Sequence, residues 1–107
     1  TIAVKNFLEL KYVSILNTME APVGDMNIID QYLFAALNHI YEGRYDLSIQ
    51  ESTIVIDLQP KNVLAWKRLG SAYYAIGKKD KARESWEQAL KITPDDAEIK
   101  QFIKQVK

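Results

Sequence analysis

Turn-forming residues recur in this chain at one fixed spacing. The pairs that lie 34 residues apart are Gly43 and Gly77, Asp46 and Asp80, and Pro60 and Pro94. A period of this length is typical of helical solenoids, in which each repeat is a helix-turn-helix unit that buries its apolar face against its neighbours. The spacing therefore predicts an all-α fold built by stacking two such units.

The second unit, residues 63–96, has small, large and turn-forming residues at the places that close helix packing requires. These residues are Trp66, Leu69, Gly70, Tyr73, Gly77, Ala82, Trp86, Ala89 and Pro94. The pattern resembles the tetratricopeptide repeat. The preceding unit, residues 29–62, has the same spacing, with Ala36, Ser48, Val55 and Pro60 at the corresponding places. Its departures from the commonest residues of the family are Tyr32, Ala35, His39 and Ser52.

The resemblance implies one domain with the fold of a right-handed α-α superhelix. Residues 1–28 would supply an N-terminal helix and a connecting loop, residues 29–62 and 63–96 the two repeats, and residues 97–107 a capping helix. Within the repeats, the pattern predicts helices over about 29–42, 46–58, 63–76 and 79–92, followed by one over about 97–106.

Turn chemistry predicts how these helices begin and end. Gly43 follows the first repeat helix, where a left-handed backbone costs glycine little. Asp46 and Asp80 are predicted to be N-caps, and Asn62 is a further candidate cap. Small residues such as Gly70 and Ala82 should let the helices of a repeat cross closely, with the aromatic residues filling the space around them.

The two ends of the chain lead to different expectations. Residues 2–19 carry an apolar stripe that predicts a helix, which would cover the flank of the first repeat, enter the concave groove, or form a homodimer by reaching a second copy. The stripe contains Ile2, Phe7, Leu8, Tyr12, Ile15, Leu16 and Met19. The final helix is predicted to be polar, with little apolar surface, as suits the end of a solenoid. Because the chain begins with Thr1, we interpret it as part of a longer protein.

Composition excludes several classes of partner and chemistry. Fourteen basic and fourteen acidic residues cancel, so the chain lacks the basic excess of nucleic-acid-binding proteins. There is no cysteine, and no apolar run approaches the ~20 residues of a membrane-spanning helix. We expect neither nucleic-acid binding nor membrane insertion, while the cellular compartment stays open.

No catalytic, cofactor or metal site is predicted. His39, the single histidine, has no converging partners at helical spacing and is interpreted as a structural, half-buried residue. Asp95, Asp96 and Glu98 suit the first turn of a helix, and the glycine-containing loop of a calcium site is missing. The chain is therefore not expected to be an enzyme.

The resemblance implies that partners bind on the concave face, which the first helix of each repeat lines. The residues implied are Asp30, Leu33, Leu37, Ile40 and Tyr41 in the first repeat and Leu64, Lys67, Ser71, Tyr74 and Ala75 in the second. This surface suits an apolar or amphipathic segment. The carboxylate clamp of some family members is not matched, since Leu64 replaces its lysine and only Arg68 agrees.

These observations favour a protein–protein interaction module of a larger protein that binds a peptide or helix on its concave face. Two alternatives stay open. One is an oligomerisation element whose main partner is a second copy. The other is an accessory regulatory domain beside a catalytic domain.

Overall fold

The computed structural model describes residues 27–106 and contains five α-helices and no strand in that range. The helices are α1 (Ile28–Tyr41), α2 (Tyr45–Leu58), α3 (Val63–Ala75), α4 (Lys79–Ile92) and α5 (Ala97–Gln105). The predicted all-α fold of repeated helix pairs is confirmed. The helix predicted over residues 2–19 lies outside the described residues, as does its connection up to residue 26.

The two helices of each repeat are joined by the same kind of turn. Gly43 and Gly77 adopt positive φ angles of 78° and 84°, as predicted for Gly43. In each turn the next amide reaches back to the helix: Arg44 N–H donates to the carbonyl of His39 at 2.8 Å, and Lys78 N–H to that of Tyr73 at 2.9 Å. These short turns reverse the chain, so α1 and α2 run antiparallel, as do α3 and α4.

Side-chain caps begin α1, α3 and α5. The side chain of Asn62 accepts a hydrogen bond from the amide of Ala65, which confirms the predicted cap, and Asp96 accepts one from Ile99. The prediction that Asp46 and Asp80 are N-caps is wrong. Helices α2 and α4 begin two residues earlier than such caps require, after the N-cap residues Arg44 and Lys78, which make no side-chain capping hydrogen bond. Both carboxylates therefore lie in the first turn, where the helix dipole favours them.

The core of the second repeat is built on close contact between α3 and α4. Gly70 lies against the indole of Trp86, which is 2% exposed. A Cβ atom at position 70 would lie 2.5 Å from Cδ1 and 2.8 Å from Cε2 of that ring, so only glycine fits. Ala82 and Ala89 are fully buried beside the same indole.

Helix α5 adds an apolar face to this core. Ile99 is fully buried, Val106 is 7% exposed, and Phe102 and Ile103 pack against the same cluster. The prediction of a polar final helix with little apolar surface is wrong. Its charged residues face outward, while the apolar residues recur every three or four positions on the opposite face.

In the first repeat, α1, α2 and α3 meet at a smaller cluster. Leu33, Val55 and Ala65 are its buried members, one from each helix. Helix α3 thus packs on both helices of the first repeat, and this packing joins the two repeats. Two serines, Ser48 and Ser52, are completely buried on the inner side of α2.

Candidate partner-binding groove

Helices α1, α3 and α5 enclose an open groove of about 410 Å³. Its lining residues are Leu37, Ile40, Tyr41, Leu64, Lys67, Arg68, Ser71, Glu98 and Phe102. Residues that the sequence predicted to bind partners supply most of this lining, namely Leu37, Ile40, Tyr41, Leu64, Lys67 and Ser71. They converge because α1 and α3 are the first helices of successive repeats and lie side by side. We call this surface the α1–α3 groove.

The other predicted site residues lie elsewhere. Leu33 belongs to the core: it is 6% exposed and packs with Val55 and Ala65, so its predicted role in binding a partner is corrected. Asp30 is in the first turn of α1, where its amide donates to the Asn27 side chain at 2.9 Å. The ring of Tyr74 lies 5.8 Å from that of Trp86 between centroids.

The rim of the α1–α3 groove is apolar and exposed. Tyr41 retains 42% and Leu64 48% of their accessible surface, whereas Leu37, Ile40 and Phe102 are half-buried along the walls. Large apolar side chains that remain exposed together are characteristic of surfaces that bind a partner. Because Tyr41 and Leu64 are already about half buried, burial of the rest of each on binding would be worth roughly 0.7–1.5 kcal/mol before the costs of association.

Lys67 carries a positive charge that the protein itself compensates. Its Nζ atom lies 2.8 Å from Oε1 of Glu98 and 3.2 Å from Oδ2 of Asp96. Burial opposes the charge, yet hydrogen bonds to Glu98 and Asp96 leave the pKa of Lys67 above its ordinary value. Lys67 therefore links α3 to the start of α5, and a partner would have to compete with two carboxylates to bind it.

Unlike Lys67, Arg68 forms no ion pair with an acidic side chain of residues 27–106. Its side chain is half-buried at the groove, and desolvation lowers the pKa of the guanidinium. Within residues 27–106, Arg68 therefore adds a positive charge beside the apolar walls of the groove. The groove can thus accept an acidic group as well as apolar side chains.

The contribution of α5 to the groove was missed by the sequence reasoning. Glu98 and Phe102 line its end because α5 packs across the second repeat, with Phe102 5.1 Å from Trp86 between ring centroids. The spacing of Ile99, Phe102 and Ile103 places all three on one helical face, but it does not specify which surface that face contacts.

His39 is half-buried and joins α1 to α2. Its Nδ1 atom lies 2.6 Å from Oε1 of Glu51. It does not line the α1–α3 groove. Among residues 27–106, no three histidine, aspartate or glutamate side chains are grouped so that they could hold a metal ion. None of the described helices is both long enough and apolar enough to cross a membrane.

Residues 63–96 match the family model of the tetratricopeptide repeat. The matched range coincides with the predicted second repeat and covers α3, α4 and the turn that leads to α5. These residues are a tetratricopeptide repeat, within a chain whose described part is an all-α helical repeat. Such repeats are in general non-catalytic scaffolds for protein–protein interaction.

Two curated proteins are similar to the chain. Peptidyl-prolyl cis-trans isomerase FKBP42 of Arabidopsis thaliana is 36% identical over 61 residues, which are 57% of this chain and 17% of the isomerase. Meiotically up-regulated gene 93 protein of Schizosaccharomyces pombe is 28% identical over an alignment that covers 90% of this chain and 27% of that protein. The chain thus spans about a quarter or less of each relative.

Proposed function

We propose that this chain binds an apolar or amphipathic peptide segment, extended or helical, in the α1–α3 groove. The observation that carries the proposal is the exposure of Tyr41 and Leu64 at the rim of a groove whose walls are also apolar. A groove of about 410 Å³ accommodates a few side chains of a partner, which is the usual scale of an anchored peptide.

The charges of the groove refine the kind of partner. Because Lys67 is already paired with Asp96 and Glu98, Arg68 is the cation of the groove that has no carboxylate partner among the described residues. A segment with apolar anchors and one acidic side chain would match this surface, whereas a basic segment would oppose it. Direct pairing with Lys67 is not required.

In the first step of the test, peptides that bind the intact chain are selected from a random peptide library. Their affinities are then measured by fluorescence anisotropy for the unaltered chain, for Leu64→Lys and for Ile76→Lys. Ile76 is a matched control, since it is an exposed aliphatic residue at the opposite end of α3 and does not line the groove. We expect Leu64→Lys to weaken binding at least about tenfold and Ile76→Lys to leave it unchanged. Equal loss in both variants, or in neither, would place the binding surface elsewhere.

Lys67 and Tyr74 are unsuitable for this test although both were predicted to bind partners. Lys67→Glu would break two ion pairs to α5, and Tyr74→Ala would remove a ring from beside Trp86. Both substitutions would remove contacts within the protein itself, so a loss of affinity could not be assigned to lost contacts with the partner alone.

A role as an accessory domain of a larger protein is favoured by the relatives, since the chain matches a small part of each, one of them named an isomerase. The expected outcome is that an antibody raised against residues 27–106 detects a natural protein well above the 12.3 kDa of this chain. Detection at 12.3 kDa alone would contradict that role. A self-associating element, the remaining alternative, would give a mass that rises with concentration in light scattering.

A further inference from the structure

The outer side of α2 carries apolar residues that the described structure leaves exposed. Leu47, Ile54 and Leu58 retain 38%, 37% and 60% of their accessible surface. They are spaced by seven and four residues, so they form one stripe along the helix. Three apolar side chains aligned in this way predict a surface that is covered in the intact chain.

The corresponding helix of the second repeat is patterned differently. Positions 34 residues after Leu47 and Ile54 are occupied by Lys81 and Gln88, both exposed. On the inner side the contrast is reversed, because buried Ser52 stands where the second repeat has Trp86. Leu58 corresponds to Ile92, which is half-buried, so Leu47 and Ile54 are the members of the stripe that are specific to the first repeat.

The stripe lies on the side of α2 that contacts α1. The contact between His39 and Glu51 shows which sides of the two helices meet there, because Glu51 lies on the same side of α2 as Leu47, Ile54 and Leu58. On α1, Ile28 and Tyr32 precede His39 by eleven and seven residues and share its side. Ile28 is 54% exposed. We call this surface the outer groove, defined by Ile28, Tyr32, Leu47, Ile54 and Leu58.

We propose that residues 2–19 of the same chain occupy the outer groove. That segment carries large apolar residues at helical spacing, including Phe7, Leu8, Ile15 and Leu16. An apolar stripe on the segment and an apolar stripe on α2 each require cover, and contact between them satisfies both. The segment would extend the stack of helices beyond the first repeat, as a solenoid's end requires.

The connection between the segment and α1 is long enough for this arrangement. Residues 20–27 can span roughly 26–29 Å when extended. Helix α2 has 14 residues and is about 21 Å long. Because α1 and α2 run antiparallel, Ile28 lies near the Leu58 end of α2, where the segment would enter.

Covalent attachment also favours this segment over a second copy of the chain. A short connection within one chain gives an effective concentration on the order of millimolar. A second copy at micromolar concentration would need to bind far more tightly to displace it. Lys5, Glu9 and Lys11 break the apolar run of the segment.

The absence of cysteine from the sequence permits a direct test in the full chain. Ile54→Cys places one thiol in the outer groove, and Gln88→Cys places one at the matched position of the second repeat. The measured quantity is the rate of maleimide labelling at neutral pH. We expect Ile54→Cys to react at least about tenfold more slowly, because labelling would require the segment to open. Leu47→Cys against Lys81→Cys provides an independent pair at another position.

The occupant is identified by adding Phe7→Lys and Leu8→Lys to Ile54→Cys. We expect these changes to raise the labelling rate to that of Gln88→Cys, with the helical circular dichroism of the repeats retained. Equal rates in the two single-cysteine chains would overturn the proposal, as would slow labelling that the lysines do not relieve. Slow labelling that appears only as protein concentration rises would assign the groove to a second copy and would also overturn it.

Discussion

The two repeats follow one backbone plan with different interiors. In the second repeat Trp86 fills the space over Gly70 and contacts the rings of Tyr74 and Phe102. In the first repeat the position of Trp86 is held by Ser52, which is fully buried. The shared features are the glycine turns and the helix lengths. The comparison shows that turns and spacing define the repeat, and that its interior can be packed with different side chains.

The largest expected effect is the loss of Trp86. Trp86→Ala should lower the free energy of unfolding by about 3–5 kcal/mol, because it removes an indole that packs against α3 and α5. Ser52→Ala at the matched position should cost nothing. Urea unfolding followed by circular dichroism measures both. If the two substitutions had equal effects, the proposed difference between the interiors would be refuted.

A larger side chain at Gly70 should have the next largest effect. Gly70→Leu is expected to cost about 1–3 kcal/mol, since a Cβ atom alone already overlaps the indole of Trp86. Combining it with Trp86→Ala should reduce that cost, because the obstructing ring is gone. An unchanged urea midpoint for Gly70→Leu would contradict the assigned packing of α3 on α4.

Buried serines in the first repeat predict a gain in stability. Within the described structure, the Oγ atoms of Ser48 and Ser52 are buried without a hydrogen-bond partner. Ser48→Ala, which introduces the residue found at Ala82 in the second repeat, should raise the free energy of unfolding by about 1 kcal/mol. Ser85→Ala is the control, because Ser85 Oγ donates to the carbonyl of Lys81 at 3.0 Å. Thermal melts should rise for Ser48→Ala and not for the control.

The smallest effect concerns the caps of α3 and α5, which are Asn62 and Asp96 at matched positions. The amide of Ile99 and then Lys67 hold the pKa of Asp96 below its ordinary value, with desolvation opposing them. A depressed folded-state pKa means that this stabilisation is present above about pH 4 and is lost as the pH falls through the folded-state pKa.

Asp96→Asn, which makes the two caps alike, should therefore reduce the loss of stability on acidification. Urea midpoints measured from pH 6 to pH 3 provide the test. Parallel pH profiles for the variant and the unaltered chain would show that Asp96 does not contribute to acid sensitivity.

Helix boundaries were predictable to within one residue in the described range, because glycine turns and proline fix where a helix can continue. Cap identity was less predictable. Asp46 and Asp80 have favourable cap chemistry, but the backbone carbonyls of Arg44 and Lys78 already accept the first helical hydrogen bonds, from Ser48 and Ala82. Each helix therefore begins before its aspartate.

The candidate site was predictable where it follows from repeat position and not where it depends on tertiary packing. Leu37 and Leu64 line the groove because neighbouring repeats align them. Leu33 was assigned to the binding surface, but α3 packs against α1 and Ala65 of α3 covers the Leu33 side chain. Phe102 was missed because its role depends on how α5 crosses the second repeat, which local sequence does not specify.

Trp86 connects the buried interior with the α1–α3 groove through Phe102, which lies beside the indole and also lines the groove. Its Nε1 atom additionally donates to the carbonyl of Lys67 at 3.4 Å. A ligand that shifts Phe102 would alter the surroundings of the indole, and with them its emission wavelength and intensity. The protein thus contains a natural fluorophore that can report occupancy of the groove without any attached label.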